Sequence, residues 1–202
     1  MIVAGAIAGA ILAGGRATRF GGAPKGLARV GGVRVIDRVA AALRAVPCDE
    51  LLLVAHAPDA AAWLPDARTV ADVRPGCGAL GGLHAALAHA RTPVLVVAWD
   101  MPFVPAPLLA ALRDRVLAGA PAAVPSGPGG AREPLCACYA PSCLAVAERL
   151  LDAGERRAGA LADAVGAALL GAAESARFGD PSVTFTNVNT ADDLARLGGS
   201  LS

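Results

Sequence analysis

Apolar runs of strand length alternate with helical hydrophobic patterns along most of this 202-residue chain, and that alternation is the strongest constraint on its fold. Short continuous apolar runs predict strands that are buried on both faces. The segments between them repeat apolar residues at helical spacing. Alternation of this kind is typical of a parallel sheet covered by helices. The sequence therefore predicts an α/β fold built as a single domain, residues 1–202.

The predicted elements follow one another at short intervals. Strands are predicted over 9–13, 50–55, 67–73, 93–99, 122–124, 135–140 and 182–189. Helices are predicted over 33–46, 82–90, 106–119, 141–153, 158–169 and 190–197. The segment 125–133 is rich in proline and glycine but lies between two strand-like runs, so we expect a surface loop and not a linker between domains.

Charge and hydropathy exclude two kinds of partner. The formal net charge is +1 and no basic run contains interleaved aromatic residues, so we expect no nucleic acid partner. The apolar N-terminus reaches Arg16 before 18 residues have passed and is interrupted by glycines, which argues against a membrane span. It also lacks the basic flank of a signal peptide, so we expect no membrane partner and a first strand buried in the sheet.

The five cysteines bear on the cellular compartment. Their odd number, with no export signal ahead of them, favours reduced thiols in a cytoplasmic protein. Cys136, Cys138 and Cys143 cluster in sequence but lack the paired CxxC spacing of zinc sites. We therefore predict that these three are small residues of the core.

The stretch ILAGGRATRFGGAPKGLARVGG, residues 11–32, combines seven glycines with three arginines and Lys25. It leaves the first predicted strand at the sheet edge where α/β proteins bind ligands. Glycines let backbone N–H groups approach phosphate oxygens, and Arg16, Arg19 and Lys25 could neutralise a triphosphate. The Walker and GxGxxG spacings are both absent, because Pro24 and Gly26 flank Lys25 and Arg16 follows the first glycine pair. A nucleotide triphosphate site is predicted, and a glycine-rich surface turn is the alternative.

This loop resembles the signature loop of the molybdenum cofactor guanylyltransferases, a family of nucleotidyltransferases. Four further segments, in the family's order, are similar to its motifs: RPGCGALGGLHAAL, VVAWDMPFVP, REPLCACY and FTNVNTADDLA. Together the five segments span about residues 9–195. The resemblance implies a three-layer Rossmann-like nucleotidyltransferase fold with a mostly parallel central sheet.

The resemblance also implies roles for individual residues. Arg19, Lys25 and Asp100 would be the catalytic residues, with Arg19 and Lys25 on the triphosphate and Asp100 holding Mg²⁺. A carboxylate directly after the most apolar strand supports that metal role independently, because Mg²⁺ prefers hard oxygen ligands. A turn aspartate before Pro102 is the alternative for Asp100.

The remaining implied roles concern the two substrates. Asp72 would fix the base or ribose, the alternative being a solvated loop residue. Asn187 and Asn189 would lie near the second substrate, the alternative being that they only tie down a strand-to-helix turn. The other residues implied to bind substrate are Leu12, Ala13, Gly14, Gly15, Gly78, Leu80, Gly81 and Gly82. His84 and His89 fall on the following helix and are predicted to be structural or surface residues.

Three residues depart from the family's pattern. Pro24 stands where the family has an aspartate before the loop lysine. Ala55 or His56 stands where it has an asparagine of the guanine pocket. Trp99 precedes Asp100 where a small or polar residue is usual, and its indole is expected to bear on access to the carboxylate.

The function implied by the resemblance is Mg²⁺-dependent transfer of GMP from GTP to the phosphate of molybdopterin, with release of pyrophosphate. Delivery proteins or molybdoenzymes that receive the product would be its partners. One alternative is a cytidylyltransferase, or another nucleotidyltransferase, acting on molybdopterin or another phosphorylated metabolite. A second alternative is a non-catalytic nucleotide-binding protein, which Lys25 and Asp100 together argue against.

Overall fold

The computed structural model describes residues 6–14, 25–189, 191–196 and 199–200, which form an α/β protein. Its strands are β1 (Ala8–Ala13), β2 (Arg29–Val30), β3 (Val33–Arg34), β4 (Glu50–Ala55), β5 (Arg68–Val70), β6 (Val94–Ala98), β7 (Ala122–Pro125), β8 (Cys136–Tyr139), β9 (Ala168–Leu170) and β10 (Gly199–Ser200). Its helices are α1 (Val35–Arg44), α2 (Gly78–Ala90), α3 (Ala106–Leu117), α4 (Cys143–Asp152), α5 (Ala158–Ala164), α6 (Ala172–Ser175), α7 (Pro181–Thr184) and α8 (Ala191–Arg196).

A seven-stranded sheet in the order β5-β4-β1-β6-β8-β7-β9 forms the centre of the protein. β1 pairs in parallel with β4 on one side and β6 on the other, and β5 continues the parallel arrangement beyond β4. β8 alone in this sheet runs antiparallel to its neighbours, β6 and β7. The prediction of a mostly parallel sheet is confirmed.

Helices cover both faces of this sheet. Ile11 of β1 points into a core that it shares with α1 and α3. Ala10 and Leu12, its neighbours in sequence, point into a second core formed with α2, α4 and α5. Because alternate residues of a strand face opposite sides, strands in such a sheet must be apolar at every position, as β1 and β6 are. The predicted three-layer arrangement is confirmed.

A second, small antiparallel sheet consists of three strands in the order β10-β2-β3. Gly31 and Gly32 join β2 to β3 with φ angles of 57° and 78°. A two-residue hairpin turn with both φ angles positive strongly favours glycine. The hairpin takes residues 33–34 out of the helix predicted over 33–46, so α1 begins at Val35.

The helix predicted over 158–169 was wrong in its second half. α5 ends at Ala164, and Gly166 follows with a φ of 64°, which stops the helix. The chain then forms β9, which pairs in parallel with β7. The alanine-rich composition favoured helix throughout, and pairing with the sheet edge overrode that propensity after the glycine.

The strand predicted over 182–189 was also wrong. Pro181–Thr184 form the short helix α7, and residues 185–189 form no strand. The Asp180 side chain accepts a hydrogen bond from the Ser182 backbone N–H at 2.8 Å, and Pro181 occupies the first helical position. An aspartate cap followed by proline favours a helix start, and here it outweighs the strand propensity of the residues after it.

The structure agrees with the prediction for the cysteines. All five are free thiols, and Cys136, Cys138 and Cys143 are fully buried in the two cores. Burial raises the pKa of the Cys143 thiol to about 11, so it stays protonated at neutral pH. No helix within the described ranges combines the length and the apolar character needed to cross a membrane.

Candidate active site

A cleft of about 560 Å³ lies at the carboxyl ends of β1, β4 and β6. Leu12 and Gly14 of the β1 end form its centre. The loop between β5 and α2 and the first turn of α2 form one wall, and Lys25 lines the cleft beside the end of β6. Its position agrees with the rule that open α/β sheets bind ligands at the carboxyl edge.

Lys25 and Asp100 form the charged centre of this cleft. Asp100 directly follows β6, and a short 3₁₀ turn over Lys25–Leu27 carries the lysine to it. The Lys25 ammonium group donates a hydrogen bond to Asp100 Oδ2 and a second one to Asn189 Oδ1 at 3.0 Å. The two charged side chains are only 18% and 11% exposed. An ammonium group has three hydrogens, so one remains for a ligand.

The segment before α8 is tied to the same centre. The Val188 backbone N–H donates to the Asp100 carbonyl oxygen at 2.9 Å. The Asn189 backbone N–H donates to Asp193 Oδ2 at 3.1 Å, which fixes the start of α8 to the residue that contacts Lys25. Asn189 therefore holds its position through its backbone while its side chain positions the ammonium group.

Trp99 lines the cleft and packs against the turn that carries Lys25. A Cβ atom built on Gly26 would lie 2.3 Å from Cε3 of Trp99, so only glycine allows this approach. The Trp99 indole stacks on Trp63 with ring centroids 5.5 Å apart. Trp99, which departs from the family's pattern, thus packs against the turn that carries Lys25.

A second polar pair lies on the opposite side of β1. His56 follows β4 directly, Asp72 follows β5, and both line the cleft. His56 Nε2 lies 2.7 Å from Asp72 Oδ2. The Asp72 side chain is 9% exposed and the His56 side chain 48%, so the carboxylate is fixed while the imidazole faces the open cleft.

Two backbone amides in the first turn of α2, those of Leu80 and Gly81, are bonded within the protein. The Leu80 N–H donates to the Arg156 carbonyl oxygen at 3.0 Å, and the Gly81 N–H donates to the Cys77 carbonyl oxygen at 3.1 Å. These two donors are therefore already satisfied.

Comparison with known proteins shows the family to which this chain belongs. Residues 9–179 match the family model described as a MobA-like NTP transferase domain. The chain is 41% identical to the "Probable molybdenum cofactor guanylyltransferase" of Chloroflexus aggregans, over 93% of this chain and 91% of that protein. The chain belongs to the MobA-like NTP transferase family.

One solved structure with a similar fold comes from an archaeon. The crystal structure of molybdopterin-guanine dinucleotide biosynthesis protein A from Archaeoglobus fulgidus has a TM-score of 0.78 and 29% identity, over 94% of this chain and 96% of that one. The structure of Rv0371c from Mycobacterium tuberculosis in complex with manganese has the same fold, with a TM-score of 0.68 and 21% identity over 95% and 97% of the two chains.

The structure brings most of the expected site residues of this MobA-like domain together. Those that line the cleft are Leu12, Gly14, Lys25, Asp72, Gly78, Gly82 and Asp100. Asn189 joins them through its hydrogen bond to Lys25.

Other expected site residues lie elsewhere. Ala13 is buried in the core of α1 and α3, and Leu80 points from α2 into the other core. Gly81 is buried against Cys77, where a Cβ atom would lie 2.7 Å from the cysteine Cβ. Asn187 is exposed and does not line the cleft. Gly15, Arg16, Arg19 and Pro24 lie outside the described residues.

Sequence reasoning gave His56 no role of its own. The rule that selected Asp100, a polar residue directly after a buried strand at the carboxyl edge, applies equally to His56 after β4. Its contact with Asp72 could not be read from the sequence, because it depends on the spacing between β4 and β5.

Proposed function

We propose that this chain transfers GMP from GTP to the phosphate group of molybdopterin and releases pyrophosphate. The observation that supports this most is the meeting of Lys25 and Asp100 in a cleft of nucleotide size at the carboxyl edge of the sheet. Membership of the MobA-like NTP transferase family and the molybdenum cofactor name of the relative support the choice of substrates.

The reaction needs no nucleophile from the protein. An oxygen of the acceptor's phosphate attacks the α-phosphorus of GTP, and the bond from that phosphorus to the bridging oxygen of the β-phosphate breaks. A new phosphoanhydride joins the acceptor to GMP, and pyrophosphate leaves with the electrons of the broken bond. The protein's task is to position the reacting groups and to balance charge.

Lys25 supplies positive charge to the triphosphate. Its ammonium group is fixed by Asp100 and Asn189, and its third hydrogen is free for a phosphate oxygen. A partly buried cation stabilises charge that develops on the leaving pyrophosphate better than an exposed one does. Arg19, which follows β1 in sequence, is proposed to add a second positive charge.

Asp100 is the residue that would hold Mg²⁺. Its carboxylate offers the hard oxygen ligands that Mg²⁺ prefers, and in phosphoryl transfer one or two carboxylates commonly suffice because substrate phosphates and waters complete the shell. Within the described ranges, no group of three or more His, Cys, Asp or Glu residues could hold a metal without substrate. Magnesium would supply charge neutralisation on the triphosphate and pyrophosphate.

We also propose a cellular compartment and protein partners for this enzyme. Free thiols at all five cysteines are compatible with a cytoplasmic location. The dinucleotide product would pass to a delivery protein or a molybdoenzyme, and these are the proposed protein partners.

Pyrophosphate release from each of the four nucleoside triphosphates tests the proposal. We expect release from GTP with Mg²⁺ only when molybdenum-loaded molybdopterin is present. Release from CTP in place of GTP would retain the mechanism and replace the assigned nucleotide. Binding of GTP with no release under any condition would favour the non-catalytic alternative.

A further inference from the structure

The first turn of α2 forms a wall of the cleft, and its sequence gives it little rigidity of its own. Gly78 and Ala79 line the cleft, and Gly81 and Gly82 follow directly after Leu80. Glycine loses more conformational freedom than other residues when a helix forms, so a helix that begins with three glycines among five residues is intrinsically loose. Contacts from another part of the chain are therefore needed to fix this wall.

The turn between α4 and α5 supplies such a contact. The Arg156 carbonyl oxygen accepts a hydrogen bond from the N–H of Leu80, which is fully buried, at 3.0 Å. Gly78 lies close to the same carbonyl group: its φ is 63°, and a Cβ atom at this position would lie 3.1 Å from the Arg156 oxygen. Cys77, the residue before α2, makes no side-chain capping bond. A peptide carbonyl of a neighbouring turn therefore holds the start of the helix.

Glu155 fixes the peptide group that carries this carbonyl. The Arg156 carbonyl and the Arg157 N–H belong to one trans peptide, so they point in opposite directions. Glu155 Oε1 accepts a hydrogen bond from the Arg157 N–H at 2.9 Å and another from the Arg156 N–H at 2.8 Å. A carboxylate on one side of the peptide thus directs the carbonyl on the other side toward Leu80.

The Glu155 carboxylate stays charged at every pH at which the protein would work. Hydrogen bonds from the Arg157 guanidinium group and from the two backbone N–H groups lower the pKa of Glu155 to about 2. Hydrogen bonds to an ionised acceptor are stronger than neutral ones, and connected hydrogen bonds polarise one another. The connected bonds run from Glu155 through the peptide between residues 156 and 157 to Leu80, at the wall of the cleft.

We infer that Glu155 is a positioning residue, which holds the first turn of α2 in the conformation that a nucleotide binds. The inference rests on the proposed function for the use of this cleft by a nucleotide. Glu155 makes no contact with the substrate in this account and takes no part in the charge balance at Lys25 and Asp100. Its removal should therefore weaken nucleotide binding and leave the turnover of the bound complex unchanged.

Calorimetric binding of GTP with Mg²⁺, without any acceptor, and steady-state pyrophosphate release test the inference together. Glu155→Ala removes the acceptor, whereas Glu155→Gln keeps an oxygen for the two backbone N–H groups. Glu174→Ala is the matched control, because Glu174 also pairs with an arginine, Arg115 at 2.6 Å, and follows β9 at the other edge of the sheet from β5.

The variants should differ in KM and not in kcat. We expect Glu155→Ala to lose about 5-fold in affinity for GTP and to raise KM for GTP by about the same factor, with kcat unchanged within about 2-fold. Binding that is lost equally from the ground state and the transition state changes KM alone. Glu155→Gln and Glu174→Ala should both stay within about 2-fold of wild type.

Arg157→Ala separates the peptide from the charge of the arginine side chain. It keeps both backbone hydrogen bonds to Glu155 and removes a guanidinium group on a side chain that is 82% exposed. We expect its affinity for GTP to stay within about 2-fold of wild type. A loss as large as that of Glu155→Ala would overturn the inference, because it would assign the effect to the arginine cation.

Amide hydrogen exchange in the free protein follows the same contacts without any ligand. The Leu80 N–H should exchange at least about 5-fold faster in Glu155→Ala than in wild type or Glu155→Gln. Thermal unfolding of each variant is measured alongside. A lower melting temperature for Glu155→Ala, with unchanged Leu80 exchange and unchanged GTP affinity, would show that Glu155 only stabilises the start of α5 and would overturn the inference.

These measurements separate the inference from the proposed function. Weaker GTP binding and faster Leu80 exchange in Glu155→Ala, with no transfer to molybdopterin by the wild type, would contradict the proposed function and leave the inference standing. Transfer of GMP by the wild type, with the same KM for GTP in Glu155→Ala, would overturn the inference and leave the proposed function standing. A wild-type chain that binds no GTP would overturn both.

Discussion

The Lys25 ammonium group is hydrogen-bonded to the carboxylate of Asp100, although 75 residues separate them in sequence. Each charge is largely buried and compensates the other, so neither is left unpaired before substrate arrives. When substrate binds, phosphate oxygens can replace the aspartate as partner of the lysine and a divalent cation can replace the lysine as partner of the aspartate, so each group keeps a partner of opposite charge. Before substrate binds, the two charges of the site therefore neutralise each other.

Removal of the Asp100 charge should abolish turnover while nucleotide binding persists. We expect Asp100→Asn to slow pyrophosphate release by at least about 100-fold, since one charge-stabilising group in a transition state contributes about that much. GTP binding should remain, because the substitution frees Lys25 for phosphate. Asp66→Asn, in an exposed ion pair with Arg44, serves as the control and should keep the wild-type rate. A normal rate for Asp100→Asn would remove the assigned metal role.

A side chain at position 26 should destabilise the fold. Gly26→Ala places a Cβ atom 2.3 Å from the Trp99 ring, and the indole cannot withdraw easily because it stacks on Trp63. Overpacking of this kind costs about 1–3 kcal/mol of unfolding free energy. Gly159→Ala in α5, where no atom lies within 4 Å, should be neutral or stabilising. Urea unfolding of both variants makes the comparison, and equal stabilities would contradict the packing described.

His84 should make the protein less stable in acid. Burial between α2 and α4 lowers the pKa of this histidine, which is 2% exposed, and its Nδ1 has no partner within the described part of the chain. Arg74 lowers the pKa further, while Glu148 opposes the shift.

The direction of the effect follows from proton binding. The unfolded chain has an ordinary histidine pKa of about 6.5 and binds a proton that folded His84 does not, so the unfolding free energy falls as the pH drops below that value. The loss is complete once the pH is below the lowered pKa of the folded state. We expect His84→Leu to reduce the difference in unfolding free energy between pH 8 and pH 5.5. A difference as large as that of wild type would show that His84 does not cause the acid sensitivity.

Buried strands were the part of the fold that could be predicted well. β4 matches its predicted range of 50–55, because a run that is apolar at every position has few alternatives to a strand buried on both faces. β9 could not be predicted, since its residues favour helix and form a strand only because β7 offers a free edge. The strand predicted over 182–189 failed because Asp180 caps a short helix over Pro181–Thr184 at the start of that segment.

Residues of the candidate site could be predicted where the residue type and the position at the end of a strand indicated the same role. Asp100 and Lys25 both line the cleft at the carboxyl edge, so their meeting followed from the topology and from the family resemblance. The contact of Asn189 with Lys25 and the fit of Gly26 on Trp99 could not be foreseen, because each depends on three-dimensional packing between distant segments. Ala13 and Leu80, expected beside the nucleotide, are instead buried in the cores, since alternate residues at a strand end and in a helix turn face away from the cleft.

The fate of labelled phosphate tests the central claim most directly. The chain is incubated with Mg²⁺, molybdenum-loaded molybdopterin and GTP labelled at either the α- or the γ-phosphate. The account predicts that the α-label appears in a dinucleotide with the pterin, in amounts equal to the pyrophosphate released, and that the γ-label appears only in pyrophosphate. Recovery of the γ-label on the pterin, or as inorganic phosphate with no dinucleotide formed, would contradict nucleotidyl transfer as the activity of this site.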